Sequence, residues 1–143
     1  MNAGDSVRNF VAAFLSHVDK NKELPPVRRL MVTDRAYPFE DEPVSMCVAD
    51  GPLSSVAWAL VCWAASLAEV SVHLWRSTGR DGEVQVHVEG RLSSGVPVDV
   101  YGFVAFGAGV FPNLERGTFS VVPLSELLEW AKPIDGTGKG VVV

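Results

Sequence analysis

A chain of 143 residues is long enough for one domain with its own core, and 48% hydrophobic with 20% charged residues is globular usage, which excludes wholesale disorder. The formal charge of −5 offers no long-range attraction to a polyanion, so nucleic acid is not expected as a partner. A single α+β domain over residues 1–143 is expected, with a tail, 133–143, that is mobile in its glycine portion.

Val7, Phe10, Val11, Phe14, Leu15 and Val18 recur at helical spacing and predict a helix over Ser6–Lys20, capped by Asp5 or Ser6. His17 lies beside that stripe and is expected half exposed. Pro25 and Pro26 cannot continue the helical ladder. Val27–Thr33 reads as a strand, and its "VRR" as a solvated strand edge. The polar stretch "DRAYPFEDEP" reads as a loop, and Val44–Ala49 as a second strand.

The run Gly51–Ala68 carries no charge and approaches the ~18 apolar residues of a membrane span. It opens with Gly, Pro and two serines and lacks a positive flank. It therefore reads as a buried helix over Ser54–Leu67, started by Ser54 or Ser55, with a stripe of Val56, Leu60, Trp63 and Leu67. No membrane association is expected. Ser71–Arg76 is a third strand, ended by the turn "STGRDG".

Glu83–Leu92 and Val96–Val104 alternate apolar and polar residues and are joined by "SSG". A three-residue hairpin loop with glycine last fits a G1 bulge, which sets Leu92 opposite Val96. Counting back, Glu89 opposes Asp99, His87 opposes Tyr101, and Gln85 opposes Phe103. Parity allows a register of the third strand with His73 beside His87 and Trp75 beside Gln85. The stretch "AFGAGVFPNLERG" reads as an irregular loop exposing Phe106 and Phe111. A short edge strand over Thr118–Val122 follows, and then a last helix with Pro123 in its first turn and Leu124, Leu127, Leu128 and Ala131 along it.

The order α-β-β-α-β-β-β-(β)-α predicts a two-layer sandwich, a mainly antiparallel sheet of five or six strands with helices on one face. The opposite face then gathers His73, His87 and Tyr101 in one row, Ser71, Glu89 and Asp99 in the next, and Trp75, Gln85 and Phe103 in a third. Glu89 against Asp99 is unfavourable without a positive group between them. Three readings compete for this face. In the first, the chain is its own cover, through the Phe106–Leu114 loop or the tail. In the second, another chain binds it, anchored by Trp75, His87, Tyr101, Phe103 and His73. In the third, it holds a chemical site, in which His73, His87, Glu89 and Asp99 are candidate metal ligands or His87 is a base oriented by an acid.

Phosphate-loop, dinucleotide-turn and nucleophile-elbow motifs are absent, and no cofactor is expected. Cys47 and Cys62 match no zinc or redox spacing and read as buried, reduced thiols of a cytoplasmic protein, in keeping with an N-terminus that lacks a signal pattern. Abundant valine, alanine and arginine beside one isoleucine suggest a GC-rich coding sequence, of bacterial or phage type. The expectation is a non-catalytic module that binds a protein partner or itself, as a homodimer, through the outer sheet face. The alternative is a small-molecule or metal-dependent site around His73, His87 and Asp99.

Overall fold

The computed structural model describes residues 3–33, 43–76, 83–105, 111 and 114–132, with side chains from Val7 onward. The loop 34–42, the turn 77–82, Phe106 and the tail 133–143 lie outside the described residues.

The elements are α1 (Ala3–Lys20), β1 (Arg29–Val32), β2 (Val44–Asp50), α2 (Leu53–Ser66), β3 (Ala68–Arg76), β4 (Glu83–Arg91), β5 (Pro97–Ala105), β6 (Phe119–Val122) and α3 (Leu124–Ala131). The strands form one mixed sheet in the order β1-β2-β5-β4-β3-β6. The meander β3-β4-β5 is antiparallel, and β1 and β6 flank the sheet antiparallel to β2 and β3. Only β2 and β5 run parallel, because the connection through α2 and the meander returns β5 beside β2. The α+β class and the element order agree with expectation, and the parallel pair refines it.

The hairpin forms as its loop dictates. Gly95 takes φ +94, and Leu92 donates to the Val96 carbonyl at 2.9 Å. Every pair expected from that loop is observed, including His87 with Tyr101 and Glu89 with Asp99. On β3, His73 stands beside His87 and Trp75 beside Gln85.

Alternation then sorts the side chains. Val84, Val86 and Val88 of β4, Val98, Val100 and Val104 of β5, Val44, Met46 and Val48 of β2, and Val72 and Leu74 of β3 are buried together with Val56, Leu60 and Trp63 of α2. Gly102 marks the closest approach of helix to sheet: a Cβ there would lie 2.6 Å from Val56 Cγ1. Leu127 of α3 is fully buried in the same core, and Phe14 brings α1 into it.

Helix starts depart from expectation. α2 is entered from Pro52 in extended conformation with no side-chain cap, so neither Ser54 nor Ser55 caps it. The Pro52 carbonyl accepts the Val56 N–H at 3.0 Å and opens the ladder instead. Pro123 likewise occupies the cap position of α3, one residue before the first turn, and its carbonyl accepts the Glu126 N–H at 2.9 Å. Asp5 and Ser6 lie inside α1, which begins at Ala3. Among the described residues, no helix is long and apolar enough to cross a membrane.

His17 is the clearest correction. It is fully buried rather than half exposed. Its Nδ1 lies 2.9 Å from Ser93 Oγ, its Nε2 lies 2.9 Å from Ser66 Oγ, and its ring stacks on Trp63. Both ring nitrogens are thus satisfied, which makes burial affordable. Burial, with a smaller effect from Lys20, lowers its pKa below the usual value.

Candidate functional site on the outer sheet face

The three helices contribute to the core on one side of the sheet, so the odd-numbered side chains of β3, β4 and β5 meet on the other. There the rings form a column across the strands. Phe119 of β6 stacks on His73 at 4.4 Å between centroids, His73 on His87 at 4.5 Å, and His87 on Tyr101 at 5.1 Å. Phe103 closes the column edge-on to Tyr101 at 5.6 Å. Adjacent strands lie ~4.8 Å apart, so the paired rings of His73, His87 and Tyr101 stack simply by standing on the pleat, whereas Phe119, paired with Trp75, reaches His73 diagonally. This lateral cover leaves the His73 and His87 side chains only 12% exposed. Trp75, Tyr101 and Phe103 are half-buried, not open to water as expected of a bare face.

The two acidic residues turn to different diagonal neighbours. The Asp99 carboxylate accepts the His87 Nδ1–H at 2.9 and 3.0 Å. Glu89 makes the same diagonal step one strand over and comes to 3.9 Å from His73 Nδ1. That separation is too long for a hydrogen bond. His73 is held down to about pKa 4, first by burial and then by His87 beside it, against a smaller opposing pull from Asp99. It is therefore neutral at pH 7, and its approach to Glu89 is not an ion pair.

His87 has no free nitrogen. Its Nε2 lies 2.9 Å from the Gln85 side-chain amide; with Nδ1–H given to Asp99, Nε2 of the neutral ring accepts there, and the amide turns its amino group toward it. A base oriented by Asp99 would need that nitrogen open to a substrate. A metal would need an open lone pair. Among the described residues, no three His, Cys, Asp or Glu side chains are placed to hold a metal ion.

Two neighbours of Tyr101 escaped the sequence reading. Cys47 of β2 is its cross-strand partner, and Arg29 of β1 is paired in turn with Cys47. The Tyr101 pKa is raised by burial first, then by Cys47 and by Asp99, with Arg29 opposing. The phenol therefore stays protonated. Phe119, at the head of the column, was also missed. The signal was available in the parity of Thr118–Val122, but it needed the knowledge that this strand joins β3.

The self-cover reading loses part of its support. Phe111 packs edge-on against Trp130 of α3 at 5.1 Å, and Leu114 is buried in the helix-side core. Neither turns to the outer face. Nor does the cysteine reading hold in full: Cys47 is buried, whereas Cys62 is only partly so. Cys62 borders an open cleft of about 630 Å³ between the end of α1 and α2, lined also by Asp19, Lys20, Lys22, Glu23 and Ser66. None of His73, His87, Asp99 or Tyr101 lines this cleft.

No known protein family, no curated protein and no solved structure matches the chain.

Proposed function

We propose that the chain is a non-catalytic protein-binding module, an adaptor, inhibitor or accessory protein, that recognises another chain through the outer face of its sheet. The observation that carries this reading is the ring column Phe119–His73–His87–Tyr101–Phe103 on the face opposite the helices. Rings braced against one another make a flat, rigid surface whose ordering cost is already met before a partner arrives. Aromatic anchors of this kind dominate binding energy at protein interfaces. The face supports catalysis less well, since both nitrogens of His87 are engaged and the cleft lies elsewhere. On this reading the compartment is the cytoplasm, where the unpaired Cys47 and Cys62 stay reduced.

The test replaces Trp75 and Tyr101 together by Ser. Tagged wild type and variant are used as baits in native extract, alongside sedimentation and circular dichroism. The proposal expects the variant to keep its fold and to lose the proteins that the wild type retains. Identical retained sets would sink it. A variant that unfolds, beside a wild type that is a partnerless monomer, would make the face internal core.

A further inference from the structure

The two edges of the sheet are built differently. β1 begins beside Arg28 and carries Arg29, both exposed, so two copies meeting there would set arginine against arginine. Charged edge residues of this kind keep sheets from pairing with one another. β6, "FSVV", carries no charge, no proline and no bulge.

The hydrogen-bond phase of β6 follows from its neighbour. Arg76 donates to the Thr118 carbonyl at 3.1 Å, and its own carbonyl accepts the Gly117 N–H at 2.8 Å, so both peptide groups of Arg76 point toward β6. Peptide groups alternate sides along a strand. Those of Leu74 and Val72 therefore also point at β6, where they meet Ser120 and Val122. The N–H and C=O groups of Phe119 and Val121 are left pointing outward from the sheet. The side chains of these same two residues are the most exposed large apolar groups of the chain's described residues, at 58% and 73%.

We propose that two copies of the chain join edge to edge through β6, antiparallel about Ser120, to form one continuous sheet. In that register Phe119 of one copy faces Val121 of the other, and each such pair exchanges both of its N–H···O bonds. Each exposed phenylalanine covers an exposed valine, an aromatic–β-branched pairing that sheets favour. The match is self-complementary, which selects a second copy over an unrelated strand. Pairing stops at Pro123, which has no N–H to give, and at Gly117, whose N–H is already spent on Arg76. The outer faces of the two copies then run together, because Phe119 heads the ring column in each.

The stretch is short, so the contact is small. Phe119 and Val121, 58% and 73% exposed, can remove at most roughly 500 Å² from water over both copies, well below the ~1,200 Å² of stable complexes. A contact of this size makes a weak, reversible dimer.

This inference concerns how the proposed module assembles and rests on the outer face being a binding surface. Sedimentation equilibrium of the full chain between about 10 μM and 1 mM tests it. The weight-average mass should rise from 15.4 kDa toward twice that value. Val121→Lys places a charge on the edge, and Val121→Pro removes an N–H that β3 does not use. Each should weaken association at least tenfold while circular dichroism stays unchanged. A mass that stays at 15.4 kDa to the highest concentration overturns the proposal. So does a dimer that both variants leave intact. The two readings fail separately: the Val121 variants act on the edge, and the Trp75 and Tyr101 changes act on the face.

Discussion

Along β4, the inward residues Val84, Val86 and Val88 are fully buried, whereas the outward Gln85, His87 and Glu89 keep part of their surface. The same backbone thus supports two kinds of burial. Inward side chains are covered from above, by Val56, Leu60 and Trp63 of a helix that bears no charge. Outward rings are covered from the side, each by the ring on the next strand. Cover from above leaves a cavity when a side chain is cut back. Cover from the side opens only the neighbouring rings to water, so the outer face should tolerate truncation that the inner face does not.

The largest effect tests this directly. Leu60 is fully buried, and Leu60→Ala should cost about 2–5 kcal/mol, read as a lowered urea midpoint at constant slope. Tyr101→Ser should cost clearly less. Equal costs would mean that the two faces are equally interior and would break the comparison.

Acid probes the outer face by another route. The folded-state pKa of His73 is about 4 against an unfolded value near 6.5. Between those values the unfolded chain takes up a proton that the folded chain refuses. The stability this group contributes is complete above pH 6.5 and is lost as pH falls toward 4, by an upper bound of about 3 kcal/mol. His17 is depressed as well and adds loss of the same sign. His73→Phe keeps a ring in the column and removes its titration. Its stability should fall less steeply over that window in parallel urea titrations. A slope identical to wild type would show that the column does not shield His73.

Gly102 sharpens the account of cover from above. A Cβ there would meet Val56 Cγ1 at 2.6 Å and the Ala49 carbonyl oxygen at 3.1 Å. Gly102→Ala should cost about 1–3 kcal/mol by overpacking. Adding Val56→Ala should return part of that cost, so that the double change is less than the sum of the singles. Strict additivity, measured by thermal unfolding, would place the helix higher above the sheet.

How much of this was legible depends on how far the deciding contact lies along the chain. The rows of the outer face followed from "SSG" and parity, because a hairpin loop and a period of two are local. The burial of His17 was not legible, since Ser66 and Ser93 lie 49 and 76 residues away and only the fold brings them together. The parallel pairing of β2 with β5 was hidden for the same reason. Nothing within "VSMCVAD" names its neighbour. The half-burial of the rings was missed because a single sequence shows which face a side chain takes, not how closely its neighbours lean on it.

The parity of β3 depends on one residue, and that gives the smallest and most specific test. Ala68 pairs with Arg91, but Ser71 pairs with Glu89, so a bulge lies between them. An extra residue at this point exchanges the sides of everything after it. It sends Val72 and Leu74 to the helices and leaves His73 and Trp75 on the outer face. Glu69 sits in the bulge at φ +55, a left-handed conformation that costs a residue with a Cβ roughly 1 kcal/mol and glycine almost nothing. Its carboxylate meets Arg91 Nε at 3.0 Å, but both side chains are well exposed, so the pair contributes under about 1 kcal/mol. In Glu69→Gly these terms offset, and the unfolding free energy from urea titration should change by less than about 0.5 kcal/mol in either direction. In Glu69→Val the ion pair is also lost, but the strain grows, because a branched Cβ resists positive φ; a cost of about 1–2 kcal/mol is expected. If Val is tolerated as well as Gly, the bulge does not depend on this backbone conformation. The assignment of His73 to the outer face would then need another cause.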